Sequence, residues 1–422
     1  MPEGTVSVTY DCCADGQKLL SLEEAWEQID RLFACVAATE GLPLLNCLGK
    51  ILAKPLVSPL NIPPFDNSAM DGYAYAASSV TKSNQGLLQL VSARLTAGTI
   101  TAPPPLGTGE AVRIFTGAPL PLGADTVAMQ EHCMATDETV KVPMDLKRGA
   151  NCRPTGGDVV LGQKLLEKGV RLKPQDLALA AASGHDVLTV YRPLRVAVLS
   201  SGNELHEPGI ELNPGGIYDS NRFGLLSLLK WLGCDVVDRG IVRDNPVDLM
   251  KAVQDAVDDA DVIITSGGMS VGEEDHIKPV IASLGELAFW RINIKPGKPV
   301  GIAHVLGKPL IGLPGNPVSA LVTFMLIARP LLLRLAGATD VNPTSFPVES
   351  AFEHTSRSGR REFLRGRLEH TSDGRVRVHK FRTDSSGVLS SMVETDGLID
   401  MGGHTEIRIG ENIPFMPFGM MR

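Results

Sequence analysis

The sequence predicts a multidomain fold in which a doubly wound parallel α/β domain carries an inserted β-rich lobe and is followed by a C-terminal β-barrel domain. In the second half of the chain, apolar runs such as Val196–Leu199 and Val262–Thr265 alternate with helical stretches, which is typical of βαβ units. Residues 59–147 contain frequent prolines and glycines between short β-like runs, and this favours a small β-rich lobe. After about residue 338, hydrophobicity alternates with period two around the hairpin signal Asp373-Gly374.

The N-terminal region predicts a helix from Ser21, because Ser21 and Glu24 have the spacing of a capping box and apolar residues follow at helical spacing. A second helix is expected from Gln175 to Ser183, with Pro174 at its start. We expect this second segment to rejoin the first helix, so that the lobe is an insertion. The sequence predicts four domains. They are an elongated linking domain (residues 21–58 and 148–192), the inserted lobe (59–147), the α/β domain (193–338) and the β-barrel-like domain (339–422).

Strands and helices are expected to alternate through the α/β domain. The predicted strands are Val196–Leu199, Val236–Val242, Val262–Thr265 and Leu310–Gly312. The predicted helices are Asn221–Leu232, Pro246–Val257, Ile277–Ser283 and one that starts near Val318. Ala320–Leu333 is the most apolar stretch, and because Arg329 and Pro330 interrupt it, it indicates a buried helix rather than a membrane span.

Composition limits the class of protein. The 422 residues are 43% hydrophobic and 21% charged, as in ordinary globular proteins. A formal net charge of −8 provides no basic excess for neutralising phosphates, which argues against a nucleic-acid binder. Seven cysteines without a C-x-x-C pair, and no signal-peptide pattern, favour reduced thiols and a cytoplasmic location.

Four glycine-containing polar segments stand near predicted strand ends: 200–204, 265–270, 295–299 and 313–317. Open α/β sheets bind ligands beyond the carboxyl ends of their strands, and glycines there let backbone N–H groups approach an oxyanion. Ser266, Gly267 and Gly268 form the predicted phosphate cradle, although the segment is neither a Walker A motif nor a full G-x-G-x-x-G pattern. The sequence therefore predicts a site for a phosphorylated or oxyanionic small molecule.

Acidic residues accompany these segments. Glu204, Asp244 and Asp275 each follow a predicted strand, so we expect their carboxylates to converge at one edge of the sheet. Carboxylates beside a substrate phosphate suit Mg²⁺. The alternative is helix N-capping, since acids are favoured before helices in any case.

Cations and prolines mark two of the same segments. Lys295 and Lys298 lie in a turn stiffened by prolines, which suits a small dianion. Ser319 follows the turn that contains Pro314 and Pro317 and opens a helix; because proline lacks an N–H group, a purely structural turn is the alternative there.

The lobe, the linking domain and the C-terminal domain carry weaker candidates. The run Asp66–Asp71 can bind a ligand or a metal, but residue chemistry alone favours an Asx-stabilised turn. The pair Arg153 and Asp158 predicts a phosphate contact and a metal or hydroxyl contact, or else an ordinary surface ion pair. The basic cluster that includes Arg360 and Arg365 indicates either a solvated strand face or an anion site.

Taken together, these segments resemble the molybdopterin molybdenumtransferase family, to which the C-terminal domain of gephyrin also belongs. The resemblance runs from about Ser21 to the end of the chain. It rests on five motifs in family order: Pro63–Ala74, Ile114–Ala118, Thr265–Asp275, Lys295–Pro299 and Leu313–Ala320.

The resemblance assigns roles to individual positions. It implies catalytic roles for six residues: Asp71, Thr116, Asp158, Glu204, Asp244 and Asp275. Of these, it implies that Glu204, Asp244 and Asp275 hold Mg²⁺ or the adenylate. It implies substrate contacts for Arg153 and, on the molybdate side, for Lys295, Lys298, Pro314, Pro317 and Ser319. Further oxyanion contacts are expected from Arg360 and from Ser385 or Ser386.

The resemblance also implies a reaction and an assembly. Adenylylated molybdopterin and molybdate would bind with Mg²⁺, AMP would leave, and molybdenum would pass to the dithiolene sulfurs. The subunit would form an elongated homodimer whose clefts face the partner's lobe. Contacts with the preceding adenylyltransferase and with downstream molybdoenzymes are expected. Neither nucleic acid nor a membrane is an expected partner.

Two other functions are compatible with the same α/β domain. An adenylyltransferase that makes the adenylylated pterin is one, although the extra length and the complete lobe motif argue against it. A scaffold protein that uses the domain as a binding platform, as gephyrin does, is the other. Molybdate and tungstate are tetrahedral dianions of nearly equal size, and the sequence does not discriminate between them.

Overall fold

The computed structural model of the chain describes residues 19–98, 103–269, 276–356 and 359–421. The first helix among the described residues is α1 (Leu22–Leu32). The Ser21 hydroxyl accepts a hydrogen bond from the Glu24 N–H, at 3.0 Å, and the Glu24 carboxylate accepts one from the Ser21 N–H, at 2.7 Å. The predicted capping box is therefore confirmed. Three short strands follow: β1 (Thr39–Pro43), β2 (Ile51–Leu52) and β3 (Leu56–Val57).

The lobe is a β structure, as its turn-rich composition predicts. Its strands are β4 (Asn67–Ser68), β5 (Gly72–Tyr75), β6 (Leu87–Leu95), β7 (Glu110–Ile114), β8 (Thr126–Met129), β9 (Met134–Ala135) and β10 (Thr139–Lys141). Six of them form one sheet in the order β8-β5-β7-β6-β10-β9. Successive side chains of a strand point to opposite faces, so β5 supplies Ala74 to one small core and Tyr75 to another.

The chain then returns beside its first strands. Its elements are β11 (Cys152–Arg153), β12 (Lys164–Leu166), α2 (Pro174–Ala182) and β13 (Val187–Tyr191). Strand β13 lies between β1 and β2 in an antiparallel sheet, and β12 pairs with β3. The segments before and after the lobe are thus held together by backbone hydrogen bonds.

The α/β domain contains a six-stranded sheet with helices on both faces. Its elements are β14 (Arg195–Ser201), β15 (Leu205–His206), β16 (Ile217–Tyr218), α3 (Ser220–Leu232), β17 (Asp235–Val242), α4 (Pro246–Asp259), β18 (Val262–Ser266), α5 (Ile277–Leu284), β19 (Gly285–Arg291), β20 (Ile294–Lys295), β21 (Pro299–Val305), β22 (Lys308–Leu313), α6 (Pro317–Thr323) and α7 (Arg329–Leu335). Every strand and helix predicted for this domain is present.

The sheet has the order β17-β14-β18-β22-β21-β19. The first four strands are parallel, and β21 and β19 are antiparallel additions that the sequence pattern did not indicate. Along β14, Val196 and Val198 pack with α3 and α6, whereas Ala197 and Leu199 pack with α4 and α5. This confirms the doubly wound arrangement and extends it to a mixed sheet.

Helices α6 and α7 are joined by a π-helical turn (Phe324–Ala328) into one apolar helix, Pro317–Leu335. With 19 residues and a mean hydropathy of 1.8, it is long and apolar enough to cross a membrane by length and composition. However, 89% of its most apolar window is buried inside the protein. The described structure therefore presents it as a core helix, as expected from Arg329 and Pro330.

The C-terminal domain contains a closed barrel. Its elements are β23 (Phe346–Ser350), β24 (His354–Thr355), β25 (Arg361–His370), β26 (Val376–Lys380), α8 (Ser390–Val393), β27 (Gly397–Asp400), β28 (Glu406–Ile407) and β29 (Asn412–Pro417). Strands β25, β26, β23, β29 and β27 pair in a ring that closes between β27 and β25, which confirms the predicted barrel. The two-residue strand β28 pairs with β24 outside the ring.

Candidate active-site cleft

A cleft of about 670 Å³ opens at the carboxyl ends of the parallel strands. Strands β14, β18 and β22 run in parallel, so the loops that follow them meet at this edge. The cleft is lined by many of the residues that the sequence singled out: Glu204, Asp244, Ser266, Gly267, Gly268, Pro314, Pro317 and Ser319. Gly387 and Leu389 of the C-terminal domain complete the wall.

The glycine loop after β18 depends on a residue without a side chain. Gly267 has φ +91°, and a Cβ there would lie 2.3 Å from the carbonyl oxygen of Ser201. Only glycine combines that backbone conformation with so close an approach. The loop therefore packs directly on the end of β14, where its backbone lies beside the cleft.

Asn221 holds two of the loops together. Its side-chain amide donates to the Ser266 hydroxyl, at 3.0 Å, and to the Gly315 carbonyl oxygen, at 2.7 Å. Nothing in the local sequence marks this residue as part of a site, because a polar residue at a helix start indicates a cap as readily as a ligand contact. Its role depends on contacts 45 and 94 residues away along the chain.

Two of the three predicted acids share the cleft. The Ser201 hydroxyl donates to the Asp244 carboxylate, at 2.9 Å. Helix capping does not account for Asp244, because the cap of α4 is Asn245, whose side chain accepts from the Asp248 N–H. Asp275 lies outside the described residues.

The described residues contain no group of three or more His, Cys, Asp or Glu side chains arranged to hold a metal ion. Glu204 and Asp244 instead provide two carboxylates on the wall of one cleft. Mg²⁺ usually binds through one or two carboxylates, substrate phosphates and water. The donor set therefore fits a magnesium ion that arrives with a phosphorylated substrate.

The two lysines of the proline-stiffened turn have different surroundings. The Lys295 ammonium donates to Glu362, at 2.9 Å, and the other oxygen of this carboxylate bonds His354 Nε2, also at 2.9 Å. Glu362 is only 1% exposed, so it balances the charge of Lys295 inside the protein. Lys298 is exposed and has no carboxylate within ion-pair distance in the described chain. Neither lysine lines the cleft, although the neighbouring Pro299 does.

The lysine turn is also fixed against the long core helix. Gly297 has φ +103°, and a Cβ there would lie 2.4 Å from the Thr323 side chain. The preceding strand β20 pairs with β25 of the C-terminal domain, with Lys295 opposite Glu362. The turn is therefore a junction between the α/β domain and the C-terminal domain.

The serine-rich stretch of the C-terminal domain reaches the same helix. The carbonyl oxygen of Ser386 accepts a hydrogen bond from the Val318 N–H, at 3.0 Å, in the first turn of α6. The stretch is held by Arg365, which donates to the Thr383 carbonyl at 2.7 Å and to the Ser385 carbonyl at 3.1 Å. It therefore lies next to Ser319.

Arg365, rather than Arg360, organises this wall of the cleft. Arg365 is 1% exposed, and burial lowers the pKa of its guanidinium. Arg360 lies in a second cavity beside Arg361 and Asn293, where it donates to the Ile294 carbonyl oxygen at 3.3 Å. The sequence pattern supports the same two interpretations for both arginines, because the stretch that covers Arg365 lies about 20 residues away along the chain.

The candidates of the lobe form their own arrangement. The Asp71 carboxylate accepts hydrogen bonds from the Thr116 N–H and from its hydroxyl, both at 2.8 Å, and these bonds lower the pKa of Asp71. Asp66 accepts the same two bonds from Thr155, both at 2.7 Å. Arg153 and Asp158 are exposed. None of the four predicted residues in these segments lines the cleft of its own chain.

The fold and the cleft together define a class of protein, one that binds an anionic small molecule. A doubly wound sheet with a glycine loop and two carboxylates at its strand ends is a site for an anionic small molecule. Three family models match the chain in order. They are the MoeA N-terminal region (domain I and II) at residues 20–184, the probable molybdopterin binding domain at 197–334 and the MoeA C-terminal region (domain IV) at 347–418.

Whole-chain relatives agree. A molybdopterin molybdenumtransferase of Haemophilus influenzae is 38% identical over 95% of this chain and 99% of its own. A molybdopterin molybdenumtransferase from a Nostoc species is also 38% identical, over 89% of this chain and 88% of its own. A solved molybdopterin biosynthesis MoeA protein of Pyrococcus horikoshii OT3 matches with a TM-score of 0.81 and 26% identity, over 95% of this chain and all of that one. The chain belongs to the molybdopterin molybdenumtransferase family, a family of transferases of molybdenum cofactor biosynthesis.

Proposed function

We propose that this protein transfers molybdenum from molybdate to adenylylated molybdopterin, with Mg²⁺-dependent release of AMP. The observation that carries the proposal is the shared cleft, in which the Gly267-Gly268 loop, two carboxylates and Ser319 line one cavity. A phosphoanhydride and an oxyanion both need backbone donors and compensating charge. The cleft offers the donors directly and the charge through a bound cation.

The glycine loop and its supports are the proposed phosphate side. The backbone of Gly267 and Gly268 borders the cleft without side chains, so a phosphate oxygen can approach the N–H groups closely. Asn221 fixes this loop to the neighbouring loop at Gly315. Substrate binding then needs little loop rearrangement, which keeps the entropic cost of binding low.

Glu204 and Asp244 are the residues that would hold Mg²⁺, and Asp275 is the predicted third ligand. The ion would offset negative charge on the phosphoanhydride as AMP leaves. The Ser201 hydroxyl orients the Asp244 carboxylate through its hydrogen bond. This support keeps the carboxylate in place before substrate arrives.

The proposed molybdate side lies at the start of α6. Ser319 contributes a hydroxyl, Pro314 and Pro317 shape the turn, and the serine-rich stretch around Ser385 and Ser386 packs beside it. Lys298 is the proposed mobile cation, since the charge of Lys295 is already balanced by Glu362. Arg365 keeps the serine-rich stretch in position.

We assign these residues of the lobe and of the linking domain to the cleft of a second subunit. Asp71 and Thr116 form an exposed pair, and Arg153 and Asp158 are exposed as well, yet none lines the cleft of its own chain. In a homodimer with two-fold symmetry, each lobe can meet the partner's cleft. A cytoplasmic location, and contacts with the preceding adenylyltransferase and with downstream molybdoenzymes, complete the proposal.

The test is an assay with purified protein, adenylylated molybdopterin, Mg²⁺ and molybdate, which measures AMP and active cofactor. The expected result is AMP release that requires both Mg²⁺ and molybdate, with cofactor formed in equal amount. Formation of the adenylate from ATP would instead identify an adenylyltransferase. Binding of the adenylate without cleavage under any oxyanion would identify a scaffold or carrier.

A further inference from the structure

Residues 205–218, which we call the flap, border the mouth of the cleft. Strands β15 and β16 close the flap by parallel pairing, with Leu205 opposite Ile217. The Ile217 N–H donates to the Glu204 carbonyl oxygen, at 2.8 Å, so the flap is joined directly to a candidate metal ligand. Leu205, Ile217 and Tyr218 line the cleft.

The base of the flap is fixed by a buried arginine. Arg222 of α3 donates to Asp219, which directly follows the flap, and to Glu207 within it. Its third partner is Asp238, at 2.6 Å. Arg222 and Asp219 are both buried, so their bond is protected from water, whereas the carboxylates of Glu207 and Asp238 are partly exposed. The flap is therefore an ordered wall of the site.

Tyr218 is the sole aromatic residue among the described residues that line the cleft. Its hydroxyl donates to the Ile210 carbonyl oxygen, at 2.9 Å, and this bond fixes the direction of the ring. The residue is nevertheless 43% exposed, and no ring or cation of the described chain stacks on it. Its neighbours Ile210 and Ile217 are also exposed. An apolar patch with an oriented ring thus stands beside a polar cleft.

We propose that the Tyr218 ring is a specificity-determining contact that stacks on a planar heteroaromatic ring of the substrate while the glycine loop binds the phosphate. The proposal rests on the proposed function, because it takes the ligand to be a phosphorylated heterocycle. Adenylylated molybdopterin has such a ring at each end, adenine and pterin. A tyrosine face accepts either, and an apolar patch excludes water from the stacked pair.

The test is isothermal titration of three probes: AMP, ribose 5-phosphate and 6-hydroxymethylpterin. Tyr218→Leu removes the ring, Tyr218→Phe keeps the ring without its hydroxyl, and Leu212→Ala changes an exposed flap residue that does not line the cleft. Melting temperatures of all variants test whether the fold is intact, and Leu212→Ala controls for disturbance of the flap. Tyr218→Leu is expected to weaken binding of the ring-bearing probe by about tenfold, which corresponds to roughly 1.4 kcal/mol of stacking.

Each outcome supports or overturns the proposal. Weaker AMP binding in Tyr218→Leu, with ribose 5-phosphate unchanged and Tyr218→Phe and Leu212→Ala near wild type, places adenine on the ring. If Tyr218→Leu binds only 6-hydroxymethylpterin more weakly, the pterin rather than adenine stacks on the Tyr218 ring. Equal losses for AMP and ribose 5-phosphate, no loss for any probe, or a wild-type protein that binds neither ring-bearing probe overturns the proposal. A stacking result without molybdate-dependent AMP release would leave this inference standing and reject the transferase function.

Discussion

The α/β cleft and the lobe carry candidate residues of similar kind, but the chain arranges them differently. In the α/β domain, Glu204 and Asp244 follow different strands and line the same cavity. In the lobe, Asp71 pairs with Thr116 on the surface and lines no part of that cavity. The parallel strands of the α/β sheet end at one edge, so Glu204 and Asp244 meet there. In the lobe, Asp71 precedes β5 and Thr116 follows β7, and antiparallel pairing of these strands brings the pair to one edge of a different sheet. The cleft acids are therefore assembled within one chain, whereas the lobe pair lies away from that cleft.

The largest expected effect comes from the cleft acids. Asp244→Asn removes a carboxylate that would hold Mg²⁺, and we expect it to lower the rate of AMP release by at least about 100-fold, as loss of a key electrostatic group does. The measurement is single-turnover AMP release at saturating Mg²⁺. Asp258→Asn, an exposed change on helix α4, is the matched control and should retain the wild-type rate. Wild-type turnover by Asp244→Asn would remove this residue from the site.

The next prediction tests whether the lobe serves the partner's cleft. Asp71→Ala and Asp244→Asn should each be nearly inactive alone. After dissociation and reassembly of an equal mixture, about a quarter of wild-type activity should return, because half of the dimers are mixed and each has one intact site. Absence of recovery in a mixture shown to contain mixed dimers would contradict a site shared between subunits.

The two lysines of the turn should separate stability from function. Glu362→Gln leaves Lys295 without its buried carboxylate, and because Lys295 itself is partly exposed we expect the free energy of unfolding to fall by about 2 kcal/mol, as for a lost hydrogen bond to a charged group. Lys298→Met should change that free energy by less than about 0.5 kcal/mol and instead raise the KM for molybdate. Denaturant unfolding and steady-state kinetics measure both. If only Lys298→Met lost stability, Lys298 rather than Lys295 would be the structural lysine, and the two roles would be reversed.

The twin Asp–Thr pairs of the lobe provide a control within the molecule. Thr116→Val and Thr155→Val each remove one hydroxyl bond to a carboxylate, Asp71 or Asp66. We expect only Thr116→Val to reduce AMP release, since Thr155 has no proposed role in the reaction. Equal losses of activity in the two variants would indicate that both pairs act through the shape of the lobe.

The smallest expected effect is the pH dependence of these pairs. Hydrogen bonds from Thr116 lower the pKa of Asp71, and those from Thr155 lower the pKa of Asp66. Their stabilisation is present above the ordinary aspartate pKa of about 3.9 and is lost as pH falls through the lowered values. The stability difference between wild type and Thr155→Val should therefore shrink at acidic pH. Unfolding midpoints at neutral and acidic pH measure it, and a constant difference would contradict the pKa assignment.

Much of the fold follows from local signals. The Ser21–Glu24 box starts α1, and Gly233 ends α3 with the left-handed conformation that glycine favours. The convergence of Glu204 and Asp244 also follows from sequence, because alternating strands and helices imply a parallel sheet.

The features that the sequence did not indicate depend on distant contacts. Strands β19 and β21 join the sheet by antiparallel pairing, which their own residues do not specify. Lys295 and Glu362 are separated by 67 residues, so a lysine that seems free in the sequence has a buried partner in the fold. Arg365 is buried because the stretch from Thr383 to Ser391, about 20 residues later in the chain, packs over its guanidinium.

The most direct test of the cleft as the active site is a crystal structure with AMP and Mg²⁺. We expect the AMP phosphate to lie against the backbone of Gly267 and Gly268, with Mg²⁺ between it and the carboxylates of Glu204 and Asp244. AMP bound only at another surface, such as the cavity beside Arg360, with this cleft empty, would contradict it.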